Sequence, residues 1–187
     1  MPRLFIAIDL PDEHKAGLTA LRDDTLPGRW TPPAQYHLTV RFIGEVDEDR
    51  TMRIEERLGG LRTSAFSLQG PGLGVFPSRR KPRILFAAID PVAQLRTFHT
   101  KVTQALHGVV TEEGPKPFHP HITLARLRGH NPRTVRTYLR KHHAFTLPPF
   151  AVAYFYLYES LLHPEGALHQ RRAAFVLQPV LPPSPAP

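Results

Sequence analysis

The 187-residue chain is predicted to fold as two related lobes of mixed strands and helices facing each other, and three observations predict it. The segment RLFIAIDLP at 3–11 returns as RILFAAIDP at 83–91. Each copy leads into a helix-like stretch and then a strand carrying His-x-Thr, His37 with Thr39 and His121 with Thr123. The spacing is also similar, 28 residues from Asp9 to His37 and 31 from Asp90 to His121. Only two copies exist and their period exceeds that of the usual solenoid repeats, so a duplicated strand–helix–strand unit is the economical account. Strands alternating with helices also suggest a parallel doubly wound sheet. No glycine-rich phosphate loop follows either leading strand, which argues against it.

Taken in order, RLFIAIDL is an apolar run suited to a strand buried on both faces. Pro11 then opens a helix carrying Ala16, Leu18 and Leu21, which LPG ends. The strand over 35–43 alternates, placing His37, Thr39 and Arg41 on one face and Leu38, Val40 and Phe42 on the other. A helix from about Asp47 to Leu61 follows, with Met52, Leu58 and Leu61 as its apolar stripe. AFSLQGPGLGVFPS reads as one strand running into glycine- and proline-rich turns. In the second half, Asp90 and Pro91 cap a helix whose Val92, Leu95, Val102 and Leu106 share a side. After a proline-rich loop and the second His-x-Thr strand comes a helix in HNPRTVRTYLRKHH, with Asn131 as N-cap and Pro132 at the first position. FAVAYFYLYES and RRAAFVLQ are the closing strands. Residues 179–187 carry no hydrophobic pattern and are expected to form a disordered proline-rich tail, leaving 1–178 as a single two-lobed domain.

The chain has no cysteine, which excludes disulfides and thiolate metal sites and fits a reducing compartment. Its opening apolar run is too short for a signal peptide and meets acidic residues at once; no stretch approaches the roughly 20 apolar residues of a membrane span. A soluble cytoplasmic protein without membrane association is the expectation. Lysine and arginine number 24 against 16 acidic residues, a formal charge of +8 with a pI near 10.3. That balance favours anionic partners, nucleic acid or nucleotides ahead of a membrane surface.

With 11 histidines and 14 threonines, chance alone supplies about one His-x-Thr, so the motif by itself is weak. Its context is stronger: each copy lies in a strand, precedes an apolar residue and holds an equivalent place in a repeated half. A zinc site is the rival reading, because His119 and His121 flank Pro120. Zinc needs three or four N, S or carboxylate donors, and this segment has no Asp, Glu or Cys. No metal and no cofactor is expected. His14, His99 and His107 lie on helical segments without a partner pattern and read as surface residues, and KHH at 141–143 reads as a solvated helix end.

Displacement at phosphorus sets the attacking and departing oxygens in line on opposite sides. An acid and a base must then face each other across the phosphate, and two lobes each presenting an imidazole supply that arrangement. A reference pKa of roughly 6.5 leaves both protonation states accessible near neutrality. Thr39 and Thr123, two residues on and on the same face, can donate hydroxyl hydrogen bonds to the remaining oxygens, and nearby arginines would offset charge.

HLTVRFIGE and PHITLAR, together with RLFIAIDLP, GVFPSRRKPRILF and YLYESLLHPEG, resemble the 2H phosphoesterase superfamily, and within it the LigT-like RNA 2',3'-cyclic phosphodiesterases, historically called 2'-5' RNA ligases. The resemblance runs from Arg3 to about Leu177. It implies an α+β fold of two pseudo-symmetric lobes, each an antiparallel sheet with helices on its outer face and the active-site cleft between them. It further implies metal-independent opening of a 2',3'-cyclic phosphate to a 2'-phosphate, with reversible joining of tRNA halves. The expected substrates are RNA with cyclic phosphate ends, tRNA fragments among them, or cyclic nucleotides, handled by a monomer with no obligate protein partner. Carried over residue by residue, His37 is the proton donor, His121 the proton acceptor, and Thr39 and Thr123 hold the phosphate. Arg126 is a candidate phosphate ligand, although strict alternation from Thr123 puts it on the wrong face unless a bulge or the strand end brings it round. Arg41 has the right parity without a stronger claim. Phe42 and Tyr36 are candidates for stacking on a base, with the core as the competing place for each. One departure is visible: His169 stands where such proteins often carry tyrosine. The alternative of a different class is a non-catalytic RNA- or nucleotide-binding module using the same basic cleft.

Overall fold

The computed structural model describes residues 1–111, 117–129, 132–161 and 167–179. Its first half runs β1 (Arg3–Asp9), α1 (Asp12–Thr19), β2 (Gly28–Trp30), β3 (His37–Glu45), α2 (Glu48–Gly59), β4 (Phe66–Gly70) and β5 (Leu73–Ser78). Then follow β6 (Lys81–Ala88), α3 (Val92–Ala105), β7 (His121–Leu127), α4 (Pro132–Lys141), β8 (Leu147–Val152), β9 (Tyr154–Leu161) and β10 (Leu168–Val176). The expected N-cap at Asn131 and the tail from 180 onward lie outside the described residues.

All pairings within the named sheets are antiparallel, as expected of an α+β fold. One strand group is ordered β10-β9-β1-β3 and the other β7-β6-β5, with β4 and β8 forming a small second sheet. The lobes are not simple halves of the chain, because the C-terminal hairpin β9–β10 returns to flank β1. The two groups meet where Leu38 of β3 pairs with Ile122 of β7. Past that pair the edge of β7 is taken by β2, from Trp30 opposite Ala125 to Gly28 opposite Leu127. β3 and β7 therefore part, and a cleft opens between them. Glycine at 28 allows this close approach, since a Cβ there would lie 2.6 Å from the Arg126 carbonyl oxygen.

The face away from the cleft is apolar and carries the helices. Ile6, Leu38, Leu85 and Ile122 from the strands join Leu18, Ile54, Leu58, Leu95, Phe98, Val102 and Val135 from the helices in one buried cluster. Asp47 caps α2 by accepting from the Arg50 amide at 2.7 Å. That start turns Thr51, Ile54 and Leu58 inward. Met52, read from sequence as part of the stripe, instead stands 57% exposed on the solvent side. Ile54 and Leu58 each contribute about 2 kcal/mol of hydrophobic stabilisation by full burial. His14 is also corrected: it is buried rather than on the surface, with Nε2 3.0 Å from the Pro148 carbonyl and its ring against Phe150. The stretch at 65–78 is two strands in two sheets, not one strand with turns. Among the described residues no helix is long and apolar enough to cross a membrane.

Candidate active site

The single pair Leu38–Ile122 places four chemical side chains together. In an antiparallel register around it, His37 lies beside Thr123 and Thr39 beside His121, all four on the face opposite the buried Leu38 and Ile122. They form a square with the two histidines on one diagonal and the two threonines on the other. Diagonal neighbours across such a pair sit about 7–8 Å apart, enough for a phosphate between the imidazoles. All four line one cavity of about 430 Å³.

Each histidine is held in the same way. His37 Nδ1 lies 2.8 Å from the Gln35 carbonyl, and His121 Nδ1 lies 2.7 Å from the His119 carbonyl, in each case two residues upstream. A carbonyl oxygen only accepts, so Nδ1–H donates and Nε2 is left as the nitrogen that can take or give a proton. Aromatic rings back both imidazoles. Phe5 and Tyr158, stacked 5.2 Å apart, lie 5.0 and 6.1 Å from His37. Phe76 and Phe86, stacked 4.2 Å apart, lie 5.0 and 5.4 Å from His121. Desolvation beside these rings disfavours the imidazolium. Burial, aided by His169, pushes His37 down to about 4, against the opposing pull of the Gln35 carbonyl. Burial likewise lowers His121, with the charges of His119 and Arg126 adding to it and the His119 carbonyl opposing.

A bulge in each histidine strand decides what stands beside the square. On β7, Thr123 pairs with Phe86 and Ala125 with Leu85, so Leu124 is the extra residue. Parity reverses there, and Arg126 joins His121 and Thr123 on the cavity wall as its candidacy required. On β3, Ala7 pairs with Thr39 and Ile6 with Arg41, which makes Val40 the extra residue. Phe42 is thereby turned from the core face into the cavity, 61% exposed, while Arg41 leaves the His37 face and acts electrostatically on His99 of α3. Phe42 and Arg126 thus occupy equivalent places, each five residues after its histidine. Tyr36 does not: it is 2% exposed in the core, on the side of Leu38 and Val40, and cannot stack on a bound base.

His169 lines the cavity at the foot of β10, edge-on to His37 at 5.3 Å and to Phe5 at 4.9 Å. Asp9, opposite His37 on β1, is held by Lys15 at 3.0 Å and by Arg171, which also donates to the Tyr158 hydroxyl at 3.1 Å. Arg3 and Arg29 line the cavity as well, and sequence reasoning missed both. Among the described residues no carboxylate lines the cavity. Among them, too, no group of three or more His, Cys, Asp or Glu could hold a metal ion.

The comparison with known families covers both of the strands that bear the dyad. The model described as LigT like Phosphoesterase matches residues 8–86 and 89–169, one stretch for each His-x-Thr strand. The chain belongs to the LigT like phosphoesterase family. This LigT-like phosphoesterase is 28% identical over 177 residues to an RNA 2',3'-cyclic phosphodiesterase of Archaeoglobus fulgidus, covering 92% of this chain and 99% of the relative. It is 35% identical over 143 residues to the RNA 2',3'-cyclic phosphodiesterase of Thermus thermophilus, 70% of this chain and 71% of that one. Among solved structures, Escherichia coli LigT complexed with 3'-AMP superposes with a TM-score of 0.75 at 25% identity, over 95% of this chain and 99% of that one. The crystal structure of a Thermus thermophilus protein gives 0.77 at 29% identity, over 95% and 98%.

Proposed function

We propose that this LigT-like phosphoesterase opens the 2',3'-cyclic phosphate of an RNA end or a nucleotide to a 2'-phosphate, with His37 and His121 as the acid–base pair. The square of His37, Thr123, Thr39 and His121 carries the reading: it places two imidazoles on opposite corners and a hydroxyl at each remaining corner of a site fit for one phosphate. The activity named for the relatives supports it.

In the reaction a water attacks phosphorus opposite the 3'-oxygen. His121 Nε2 takes the water's proton, the new P–O bond forms and the P–O3' bond breaks. His37 Nε2 delivers a proton to the departing 3'-oxygen, so the product carries a 2'-phosphate and a free 3'-hydroxyl. Thr39 and Thr123 donate to the equatorial oxygens, and Arg126 offsets the charge gathered there. With its pKa lowered by burial, His37 is neutral near pH 7, and an anion between the imidazoles favours its charged form, so substrate binding itself loads the acid. A 5'-hydroxyl taking the water's place gives a 2'-5' linkage by the same steps, and the reverse reaction follows. The deeper depression of His37 favours a second reading in which the roles are exchanged, His121 donating and His37 accepting.

The test is incubation with a 2',3'-cyclic nucleotide followed by chromatography against 2'- and 3'-phosphate standards. Conversion to the 2'-phosphate is expected. Binding without turnover makes the protein a recognition module instead.

A further inference from the structure

The cavity is wider than the square needs, and its chemistry continues outward. Arg29 of β2 is paired directly with Arg126 of β7. Like charges in directly opposed positions repel, and each of these arginines lines the cavity without a carboxylate partner among the described residues. The approach is enforced by the backbone, because Gly28 packs β2 tightly onto the Arg126 carbonyl. Such a pair is relieved by an anion lying between the two guanidinium groups. Arg3 lines the opposite wall, on the β1 face that also carries Phe5. It too has no ion-pair partner among the described residues. Position relative to the square is set by the register: Thr123 is opposite Phe86 and Arg126 opposite Ile84. Two strand steps, about 7 Å, therefore separate the threonine from the arginine pair. That is the scale of one step from phosphate to phosphate along a single strand of RNA.

We propose that Arg29, with Arg126 beside it and Arg3 across the cleft, forms a second anion subsite that holds the phosphodiester one nucleotide upstream of the cyclic end. The inference rests on the reading of the square as the cyclic-phosphate site and names the substrate class that site serves: an RNA end of at least two nucleotides rather than a free cyclic nucleotide. Phe42, exposed on the wall of the same cavity past Thr39, is the ring on which the terminal base stacks.

The experiment uses three ligands: adenosine 2',3'-cyclic phosphate, the dinucleotide ApA with a 2',3'-cyclic end, and the same dinucleotide with a neutral methylphosphonate as its internal linkage. kcat/KM is measured for each with the wild type, Arg29→Ala and Arg29→Lys. A charge-assisted contact predicts that the wild type prefers the charged dinucleotide over the neutral one by about tenfold. Arg29→Ala abolishes that preference and Arg29→Lys keeps part of it. Equal use of the charged and neutral dinucleotides by the wild type overturns the subsite, and this arm needs no variant to fold. Failure of all three ligands to turn over counts against the proposed hydrolysis instead. Affinities for the same ligands, from calorimetric titration, then judge the subsite by the same charged-to-neutral ratio.

Discussion

Replacing Gly74 by alanine on β5 should damage catalysis although the residue is absent from the cavity wall. A Cβ at this position would lie 2.4 Å from Cζ of Phe86 and 2.7 Å from its Cε2. Ordinary carbon–carbon contact is about 3.5–4.0 Å, so the ring must retreat by more than about 1 Å. Phe86 has little freedom to do so harmlessly: it is stacked on Phe76 at 4.2 Å and sits edge-on to His121 at 5.4 Å. Overpacking of this kind costs about 1–3 kcal/mol of stability. A misplacement of about 1 Å in a reacting group costs on the order of 10²-fold in rate. The expected result for Gly74→Ala is a folded protein with Tm lowered by several degrees and kcat/KM on a cyclic nucleotide down by about 10²-fold. The assays are circular-dichroism melting and steady-state kinetics. An alanine variant that retains full turnover would refute the argument that the Phe76–Phe86 stack sets the position of His121.

The pH profile of kcat/KM should be bell-shaped, with its maximum on the acid side of 6.5. Both imidazoles are pushed down, His37 to about 4, and the singly protonated pair exists only between the two titrations. Below that window both histidines are charged and no base remains; above it both are neutral and no acid remains. His169→Phe removes a ring whose charge opposes protonation of His37 and should move the acid limb upward, whereas a maximum above pH 7 contradicts the assignment. Turnover should survive exhaustive treatment with a chelator, and loss that one specific metal restores would sink the metal-free scheme. Phe42→Ala should raise KM by about tenfold through lost base stacking, while Tyr36→Phe, in the core, should leave KM alone; the reverse pattern would return Tyr36 to the cleft.

The histidine–threonine dyads were legible because strand alternation is local and each dyad sits before its bulge. The bulges themselves were half legible. Arg126 demanded one, because a basic residue that close to the dyad has a use in the cleft and none in the core. Phe42 gave no such demand, since an aromatic ring is at home in the core, and only the register of β3 against β1 reveals the turn. Tyr36 could have been placed correctly by the alternation that placed Leu38, for no bulge lies between them. β2 was hidden because three residues carry no periodicity and its partner lies about a hundred residues away on β7, so Arg29 escaped with it. The apparent alignment of Asp9 with Asp90 also shifts in space: His37 faces Asp9, but His121 faces Ala88. Equivalence in the fold follows strand register, and sequence similarity between two apolar strands slips by two residues without disturbing their faces. The return of β9 and β10 to β1 is a long-range pairing that no local pattern encodes.

The most direct test of the acid–base pair replaces the bridging 3'-oxygen of a cyclic-phosphate substrate by sulfur, which departs as a thiolate with little need of a proton. General acid or base action by one side chain supplies about 10²- to 10⁴-fold, so each single histidine-to-alanine variant should lose that much on the oxygen substrate. His37→Ala should recover most of its loss on the sulfur substrate, and His121→Ala should not, because the water still needs a base. Rescue of His121→Ala alone would exchange the two roles, and undiminished turnover of the oxygen substrate by both variants would contradict the mechanism.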